Sequence, residues 1–263
     1  MPVPEPSGVG FGALGAGLEG RGVIVTGAAG GVGAATARAM AGAGARVAAV
    51  DINGAGLAEV VAGLDGAGHR AITFDLREVE SIDDLVAGII EDFGDLWALA
   101  HAAALLRRQD PDDVTSEDWD AQNDLNMKAT FFLNRAVGNA MAAAGGGGRI
   151  INFSSGGWWG GPVFGSDAYL AGKAGVITLS RGFARRYGPH GILVNSIAPG
   201  GVDTPMQRDD LPPEIEEALT RACPLGRIGR PEELAAVVVF LASIHASFVN
   251  GATLNVSGGG LIY

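Results

Sequence analysis

Two residues with complementary proton chemistry stand four positions apart in the second half of the chain. Only three tyrosines and two lysines occur in the 263 residues, and Tyr169 and Lys173 share one stretch with a helical pattern. A spacing of four puts both side chains on one helical face. An ammonium group stabilises a phenolate, so we expect Lys173 to lower the pKa of Tyr169 from its ordinary value of about 10. Such a tyrosine can exchange a proton with an alcohol or ketone, although a plain surface pair would show the same spacing.

A glycine-rich segment early in the chain has the composition of a phosphate-binding loop. It reads TGAAGGVG from Thr26 to Gly33, after a short apolar run and before a helical pattern. Glycine tolerates positive φ and lets the backbone approach a ligand closely, and the start of a helix attracts anions. This order of strand, glycine-rich turn and helix predicts a site for a dinucleotide pyrophosphate.

An acidic residue follows at the distance expected of a ribose ligand. Asp51 ends the second apolar run, eighteen residues after Gly33. A carboxylate there accepts hydrogen bonds from a ribose diol and repels a 2′-phosphate. Arg and Lys are absent between Gly27 and Gly33, and from Asp51 up to Arg70. We therefore expect NAD rather than NADP, with an ordinary turn aspartate as the other interpretation.

The elements that must position these residues alternate between strand and helix. Seven short apolar runs predict strands at 22–26, 46–50, 70–74, 97–101, 149–153, 192–197 and 252–256, and helical patterns lie near 32–43, 54–64, 81–93, 117–143, 168–187 and 231–243. Near-continuous apolar runs indicate strands buried on both faces. The pattern predicts an α/β fold: a single Rossmann-type, doubly wound domain over 18–263 whose seven-stranded parallel sheet is flanked by helices. Residues 1–17 are expected to be a flexible tail, and 203–222 a lid.

Composition excludes several functions. The net charge of −11 disfavours nucleic acid, and the longest apolar run has 11 residues, Leu234 to Ile244, against about 18 needed to span a membrane. The first basic residue is Arg21, so the chain does not start like a signal peptide. A single cysteine, Cys223, allows no internal disulfide, and no zinc-ligand spacing occurs, so we expect no metal. We expect a cytoplasmic protein.

Taken together, TGAAGGVG and Tyr169-Leu170-Ala171-Gly172-Lys173 resemble the cofactor loop and the Y-x-x-x-K motif of the classical short-chain dehydrogenase/reductase family, and the resemblance covers roughly residues 18–260. It implies that Ser155 polarises the substrate oxygen. Ser154 remains an alternative, because Ser155 lies 14 residues before Tyr169, one more than expected. It also implies that Asn126 holds a water that links Lys173 to solvent.

The resemblance further implies a nicotinamide cofactor and, commonly, a homotetramer. The implied cofactor contacts are Gly27, Ala29, Gly31, Val32, Gly33, Asp51, Ile52, Asp75, Leu76, Ala102, Tyr169, Lys173, Pro199, Gly200, Val202 and Thr204. One motif departs from the family, which usually has N-N-A-G where this chain reads HAAA from His101 to Ala104. His101 could replace a hydrogen bond that braces the sheet; a catalytic histidine is less favoured, because Tyr169, Lys173 and Ser155 already fill the needed roles.

Aromatic residues between the catalytic serine and tyrosine suggest the substrate. Trp158, Trp159 and Phe164 lie there, and Met206 begins the expected lid. They favour an apolar or cyclic secondary alcohol or ketone, unless the tryptophans pack against another subunit. Acids after Met206 argue against a strongly anionic substrate, and the segment 107–120 has the mixed charge of a solvated loop. Trp97 and Trp119 are expected in the core.

Three functions remain to be compared. The leading hypothesis is an NAD-dependent oxidoreductase, an alcohol dehydrogenase or ketone reductase. The second is a reductase of 3-oxoacyl thioesters, which Asp51 and the negative charge disfavour because such enzymes usually prefer NADPH and dock an acidic carrier. The third is a non-catalytic NAD(H)-sensing protein, for which the altered segment from His101 to Ala104 is the only support.

Overall fold

A computed structural model describes residues 13–162, 165–208 and 213–262. Its seven strands form one parallel sheet in the order β3-β2-β1-β4-β5-β6-β7. The strands are β1 (Gly22–Thr26), β2 (Arg46–Asp51), β3 (Arg70–Thr73), β4 (Ala98–His101), β5 (Gly148–Phe153), β6 (Ile192–Pro199) and β7 (Thr253–Val256). The fold class predicted from the alternating pattern is confirmed.

Helices connect the strands on both faces of the sheet. They are α1 (Gly31–Gly42), α2 (Gly54–Ala62), α3 (Ile82–Phe93), α4 (Ser116–Asn123), α5 (Ala129–Ala144), α6 (Gly157–Gly160), α7 (Asp167–Tyr187), α8 (Pro205–Arg208), α9 (Pro213–Ala222) and α10 (Pro231–Ala242). The chain order reverses between β1 and β4, and open α/β sheets bind their ligands at the carboxyl ends of the strands beside such a reversal.

The central strands are apolar on both faces because helices cover both. Every residue of β1, β4 and β5 is buried. Alternate residues of β1 enter opposite cores: Val23 and Val25 pack with α1 and α10, and Ile24 packs with α3, α5 and α7. This explains why the apolar runs predicted the strands. The edge strands β3 and β7 are more exposed.

The long helical pattern near 117–143 is interrupted in the structure. A π-helical turn, Asp124–Lys128, separates α4 from α5 and carries the buried Asn126. Such wide turns often occur at functional sites. Trp97 is buried, as expected, and its indole Nε1 donates to the carbonyl oxygen of Ala242 at 2.9 Å. The prediction for Trp119 is wrong: its side chain is 44% exposed, because it lies on the part of α4 that faces solvent.

The two ends of the predicted organisation fall partly outside the described residues. From residue 13 the chain forms turns against the end of α10, where the amide of Ile244 donates to the carbonyl of Ala16 at 3.1 Å and Leu18 is fully buried. The rest of the expected tail, 1–12, lies outside. The expected lid, 203–222, contains α8 and α9, and its residues 209–212 also lie outside. None of the helices described is both long and apolar enough to cross a membrane.

Candidate active site

The glycine-rich loop after β1 is a cradle that side chains would fill. Gly27 has φ of +67°, and a Cβ on it would lie 2.8 Å from the amide nitrogen of Ala103. A Cβ on Gly33 would overlap the carbonyl oxygen of Gly27. The N-terminus of α1, at Gly31, is not capped by any side chain. These features fit a dinucleotide pyrophosphate, which needs close backbone approach and helix amides.

A second segment meets the loop from the end of β6. Gly31 has φ of +50°, and a Cβ there would lie 3.3 Å from Cγ2 of Thr204. Thr204 also accepts a hydrogen bond from the amide of Gln207 at 3.2 Å, which begins α8. Upstream, Gly200 donates its amide to Val256 at 3.1 Å, and Val202 is buried. Thr204 thus lies beside the phosphate loop, and Pro199, Gly200, Val202 and Thr204 line one cavity together with Val32 of that loop.

Asp51 is fixed at the end of β2 beside the same loop. Its Oδ2 accepts from the amide of Ala29 at 3.0 Å, and its Oδ1 accepts from the amide of Asn53 at 2.9 Å. Each carboxylate oxygen has a second lone pair, so both bonds leave capacity for ribose hydroxyls. Ile52 next to it is 60% exposed, as a residue open to a ligand should be.

The expected adenine-side residues lie after β3. Asp75 pairs with Arg77, whose Nη2 lies 2.5 Å from its Oδ2, and the guanidinium lowers the pKa of this carboxyl. Leu76 is buried. Ala102, which follows β4, lines the cavity described below together with Val32. The fold therefore brings the phosphate loop after β1 and the loop after β4 together at the carboxyl edge of the sheet.

Tyr169 and Lys173 project from α7 towards this edge. The Nζ atom of Lys173 donates to the carbonyl oxygen of Phe153 at 2.8 Å and lies 5.7 Å from the centre of the Tyr169 ring. Lys173 is 2% exposed, and burial lowers its pKa to about 7. The two side chains share one helical face, as the spacing of four requires.

The pKa of Tyr169 moves in the opposite direction from the one the spacing predicted. Burial of the phenol raises its pKa to about 12 in the protein alone, and the positive charge of Arg108 opposes that rise. The reason is that desolvation disfavours the phenolate. Lys173 directs its ammonium at the Phe153 carbonyl, and burial also weakens its charge near neutral pH.

The two candidate serines differ in what their hydroxyl protons do. Ser154 is 3% exposed and donates its proton to the carbonyl oxygen of Lys173 at 2.7 Å. Ser155 is half-buried and accepts a bond from the amide of Gly157 at 3.4 Å, which uses a lone pair and not its proton. Both line the cavity. Because the proton of Ser154 is committed, Ser155 is the better donor to a substrate oxygen.

Asn126 ties the π-helical turn to the loop after β4. Its Oδ1 accepts from the amide of Leu105 at 3.0 Å, and its Nδ2 donates to the carbonyl of Leu105 at 2.7 Å. Its own carbonyl accepts the hydroxyl proton of Thr130 at 2.8 Å. The buried side-chain amide thus makes two bonds to Leu105 and holds the loop that borders the cavity, with one N–H and one lone pair left over.

His101 completes a chain of hydrogen bonds across the sheet. The amide of Ala103 donates to Oγ1 of Thr26 at 3.2 Å, Thr26 lies 2.8 Å from Nδ1 of His101, and Nε2 lies 2.9 Å from Oγ1 of Thr130. Thr130 gives its own proton to Asn126. It must therefore accept from Nε2–H, which leaves Nδ1 to accept the hydroxyl proton of Thr26.

This assignment makes His101 a neutral brace. Its ring is 2% exposed, and burial lowers its pKa to about 3, with the charge of Lys173 acting in the same direction. Both ring nitrogens are occupied by threonines, so the ring cannot exchange a proton with a substrate without breaking the chain. These two bonds support the interpretation that His101 braces the sheet at the position where the family usually has an asparagine.

A cavity of about 390 Å3 opens beside Tyr169. Its described walls are largely apolar and include Leu106, Met206, Ile215, Leu219 and Leu261, with Ser155 and Arg108 among the polar groups. A site of this size suits a small organic molecule.

Met206 lines the cavity, whereas the two tryptophans that were predicted to contact the substrate do not. Trp158 and Trp159 belong to α6, where their rings pack edge to face with centres 5.4 Å apart. They are not among the described residues that line the cavity, and Trp159 is 60% exposed. Phe164 lies outside the described residues. A substrate contact from these three stays a prediction.

Several residues of the cavity wall were missed from sequence, among them Ile215, Leu219 and Arg108. Ile215 and Leu219 of α9 stand four residues apart among acids, a pattern that could have marked an amphipathic helix. Arg108 belongs to a segment without periodicity that we expected to be a solvated loop. It gave no signal, because only the path of the loop over the cavity brings its side chain there.

The fold and the site define a dinucleotide-binding oxidoreductase with a tyrosine–lysine pair. A family model described as "Enoyl-(Acyl carrier protein) reductase" matches residues 27–260. The chain is 36% identical over 244 residues to D-threitol dehydrogenase of Mycolicibacterium smegmatis, covering 92% of this chain and 93% of that protein. It is 35% identical over 244 residues to a 3-oxoacyl-acyl-carrier-protein reductase of Thermotoga maritima, covering 92% and 98%.

A solved structure agrees with these relatives. The crystal structure of a putative short-chain alcohol dehydrogenase from Sinorhizobium meliloti 1021 superposes with a TM-score of 0.88 at 32% identity, covering 94% of this chain and 98% of the other. The chain belongs to the short-chain dehydrogenase/reductase family, whose members use nicotinamide cofactors.

Proposed function

We propose that this protein is an NAD-dependent dehydrogenase/reductase that interconverts a secondary alcohol and its ketone, with an apolar or cyclic body on the substrate. The observation that carries the proposal is the placement of Tyr169 and Lys173 between a glycine cradle and an apolar cavity. D-threitol dehydrogenase, a relative at 36% identity, is named for the oxidation of an alcohol.

The residues of this chain supply the proton chemistry. The nicotinamide supplies hydride transfer when it is bound. Tyr169 exchanges the hydroxyl proton with the substrate oxygen, and Ser155 donates a hydrogen bond to that oxygen. Lys173 lies beside the phenol and contributes positive charge. Asn126 completes the proposed proton path to solvent. Because the phenol is protonated at neutral pH, ketone reduction should proceed there, and alcohol oxidation should become faster as the pH rises.

NAD, rather than NADP, is supported by Asp51. Its carboxylate is held beside Ala29 of the phosphate loop by a 3.0 Å hydrogen bond. A 2′-phosphate brought to the same edge would face this negative charge across a few ångströms, whereas a ribose diol would donate to it. The other predicted cofactor contacts remain predictions that rest on the family resemblance.

The direct test is NADH formation, followed at 340 nm, over a panel of aliphatic, alicyclic and aromatic secondary alcohols with NAD and with NADP. We expect turnover with NAD. The matched variant is Tyr169→Phe, which keeps the ring and removes the exchangeable proton. It should lower kcat by at least about a thousandfold while changing NADH affinity less than about threefold, measured by fluorescence. Wild-type turnover in this variant would exclude the mechanism.

Reduction of 3-oxoacyl thioesters is the second candidate. It is favoured by the Thermotoga maritima relative and by the description of the matching family model. Asp51 and the net charge of −11 argue against it. NADPH-dependent reduction of an acetoacetyl thioester, faster than any alcohol oxidation with NAD, would establish this candidate in place of the first.

We also propose a cytoplasmic homotetramer. The support is family resemblance together with exposed apolar side chains along α4, the π-helical turn and α5, namely Trp119, Met127 and Phe131. Light scattering should give a mass close to four times 26.6 kDa. A mass near 26.6 kDa at micromolar concentration would contradict the tetramer.

A further inference from the structure

The segment after β4 runs along the cavity with a period of two residues. Its even-numbered residues line the cavity, and these are Ala102, Ala104, Leu106 and Arg108. Contacts at every second residue are what an extended backbone gives, because alternate side chains point to the same side. One side of the segment 102–109 therefore faces the substrate cavity.

The backbone amides of the odd-numbered residues all donate to other parts of the chain. Their acceptors are Oγ1 of Thr26 for Ala103 (3.2 Å), Oδ1 of Asn126 for Leu105 (3.0 Å), Oε1 of Gln122 for Arg107 (2.9 Å) and the carbonyl oxygen of Gly165 for Gln109 (2.7 Å). The position of the segment is thus set by side chains and backbone outside it, and not by a sheet or helix of its own.

Two of these acceptors belong to one polar stripe, which consists of Asp118, Gln122 and Asn126. Because they are spaced by four, they lie on one face of α4 and the π-helical turn. Gln122 and Asn126 are 1% and 0% exposed. The stripe runs beside the segment in the opposite direction, since Asn126 bonds Leu105 and Gln122 bonds Arg107.

Asp118 holds the side chains at the far end of the segment. Its Oδ1 accepts from Nη1 of Arg107 at 2.5 Å, and its Oδ2 accepts from Nε2 of Gln109 at 2.9 Å and from Oγ1 of Thr115 at 2.8 Å. Hydrogen bonds from Gln109, Thr115 and Arg107 hold the pKa of Asp118 well below its usual range. The acceptor is therefore a carboxylate ion at neutral pH, and such charge-assisted bonds are the strong ones.

The segment also meets the start of α7, which contains Tyr169. Gln109 and Gly165 are in close backbone contact, because a Cβ on Gly165 would lie 2.5 Å from the carbonyl oxygen of Gln109. Ser166, the next residue, lines the cavity. Lys173 is held separately, by its bond to β5. A displacement of the segment would therefore change the walls of the cavity more than the position of Lys173.

We propose that Asp118 and Gln122 are positioning residues that set which substrates the cavity accepts. They hold the segment 102–109 so that Leu106 packs against the apolar body of the substrate, while the proton chemistry stays at Tyr169. Neither residue is among the described residues that line the cavity, so both act through the segment. The inference rests on the proposed function and names residues that determine specificity at the same site.

The test compares two alcohols that differ in one group. 1-Phenylethanol has a phenyl ring where 2-propanol has a methyl group. We expect wild-type kcat/KM with NAD to be at least about tenfold higher for 1-phenylethanol, because its ring fills the apolar cavity. Gln122→Met removes the acceptor of the Arg107 amide at similar volume, and Asp118→Asn removes the carboxylate charge. Each should lower this preference at least about fivefold, chiefly by raising KM for 1-phenylethanol, and should change kcat for 2-propanol less than about threefold.

The matched control is Asp120→Asn, which removes an exposed carboxylate from the same helix. It should change the preference less than about twofold. If Gln122→Met does not fold, Asp118→Asn provides the comparison, because the Asp118 side chain is partly exposed. Hydrogen exchange followed by mass spectrometry measures the segment directly and needs no turnover. Amides between 103 and 110 should exchange at least about fivefold faster in Gln122→Met and Asp118→Asn than in Asp120→Asn.

Two results would overturn the proposal while leaving the proposed oxidation intact. Faster exchange with an unchanged preference would show that the stripe only stabilises the segment. Unchanged exchange, or equal wild-type kcat/KM for the two alcohols, would show that the stripe or the wall has no influence on the substrate.

If the wild type oxidises neither alcohol, the proposed reaction fails, and calorimetry of the NADH-saturated protein decides the present proposal. Tighter binding of 1-phenylethanol than of 2-propanol, lost in Gln122→Met, would support it. Equal binding of the two alcohols, or no binding of either, would overturn it.

Discussion

Replacing His101 by asparagine, the residue that the family usually has there, should change how stability depends on pH. The folded protein holds the imidazole neutral down to a pKa of about 3, whereas its ordinary value is 6.5. Between these values the unfolded chain binds a proton that the folded chain does not. The free energy of unfolding therefore falls as the pH falls through this window. From pH 7.5 to 5.0 this one group removes about 2 kcal/mol.

The asparagine variant lacks that titration. At pH 7.5 it should be less stable than the wild type by about 1–3 kcal/mol, because the shorter side chain leaves Thr26 or Thr130 without its bond. On going to pH 5.0 the wild type should lose about 2 kcal/mol more than the variant, so the gap between them narrows or closes. The other groups that titrate in this range are common to both proteins and cancel in the comparison.

Urea unfolding followed by tryptophan fluorescence, at half-unit steps between pH 5.0 and 7.5, measures this difference. The control is His190→Asn, which removes an exposed imidazole in place of a buried one. Parallel stability curves for wild type and His101→Asn would refute the reasoning. They would mean that the imidazole binds its proton equally well in the folded and unfolded chains, so that both ring nitrogens would donate to the hydroxyl oxygens of Thr26 and Thr130.

The remaining expectations concern the substrate site and the cofactor site. Ser155→Ala should lower kcat by about 10²–10³ with little change in NADH affinity. Ser154→Ala should chiefly lower the melting temperature, because it removes a buried hydrogen bond, and equal kcat losses in the two variants would contradict the assignment of Ser155 as the donor to the substrate oxygen. Gly33→Ala should weaken NADH binding by at least about a hundredfold, since the added methyl meets the carbonyl of Gly27, and near-normal affinity would show that the loop does not form the cradle. Asp51→Ser should raise kcat/KM for NADP relative to NAD by about 10–100-fold, and an unchanged ratio would locate cofactor choice elsewhere.

The fold could be predicted from sequence because its determinants are local and strong. A strand buried on both faces is mostly apolar, so β1, β4 and β5 stood out as near-continuous apolar runs. The phosphate loop was equally visible, because a Cβ at Gly33 is sterically forbidden and only one residue type fits. Tyr169 and Lys173 were found by a spacing that a helix converts into proximity.

What could not be predicted depends on packing between distant parts of the chain. The exposure of Trp119 is decided by which side of α4 meets the core. The upward pKa shift of Tyr169 comes from desolvation, which no spacing reports. Arg108 reaches the cavity because the bonds of Asn126 to Leu105 fix the path of the loop that carries it. Each is a property of the assembled site rather than of a motif.

The contact between Gly31 and Thr204 has a kinetic consequence. Thr204 lies against the phosphate loop on one side and starts α8 on the other, through the amide of Gln207. A dinucleotide that fills the loop therefore acts on the segment whose Met206 borders the substrate cavity. Binding should be ordered, with the nucleotide binding first and dissociating last, and bound substrate should slow the dissociation of the nucleotide. Product-inhibition kinetics would test this order. The rate of nucleotide release should then limit turnover at high substrate concentration.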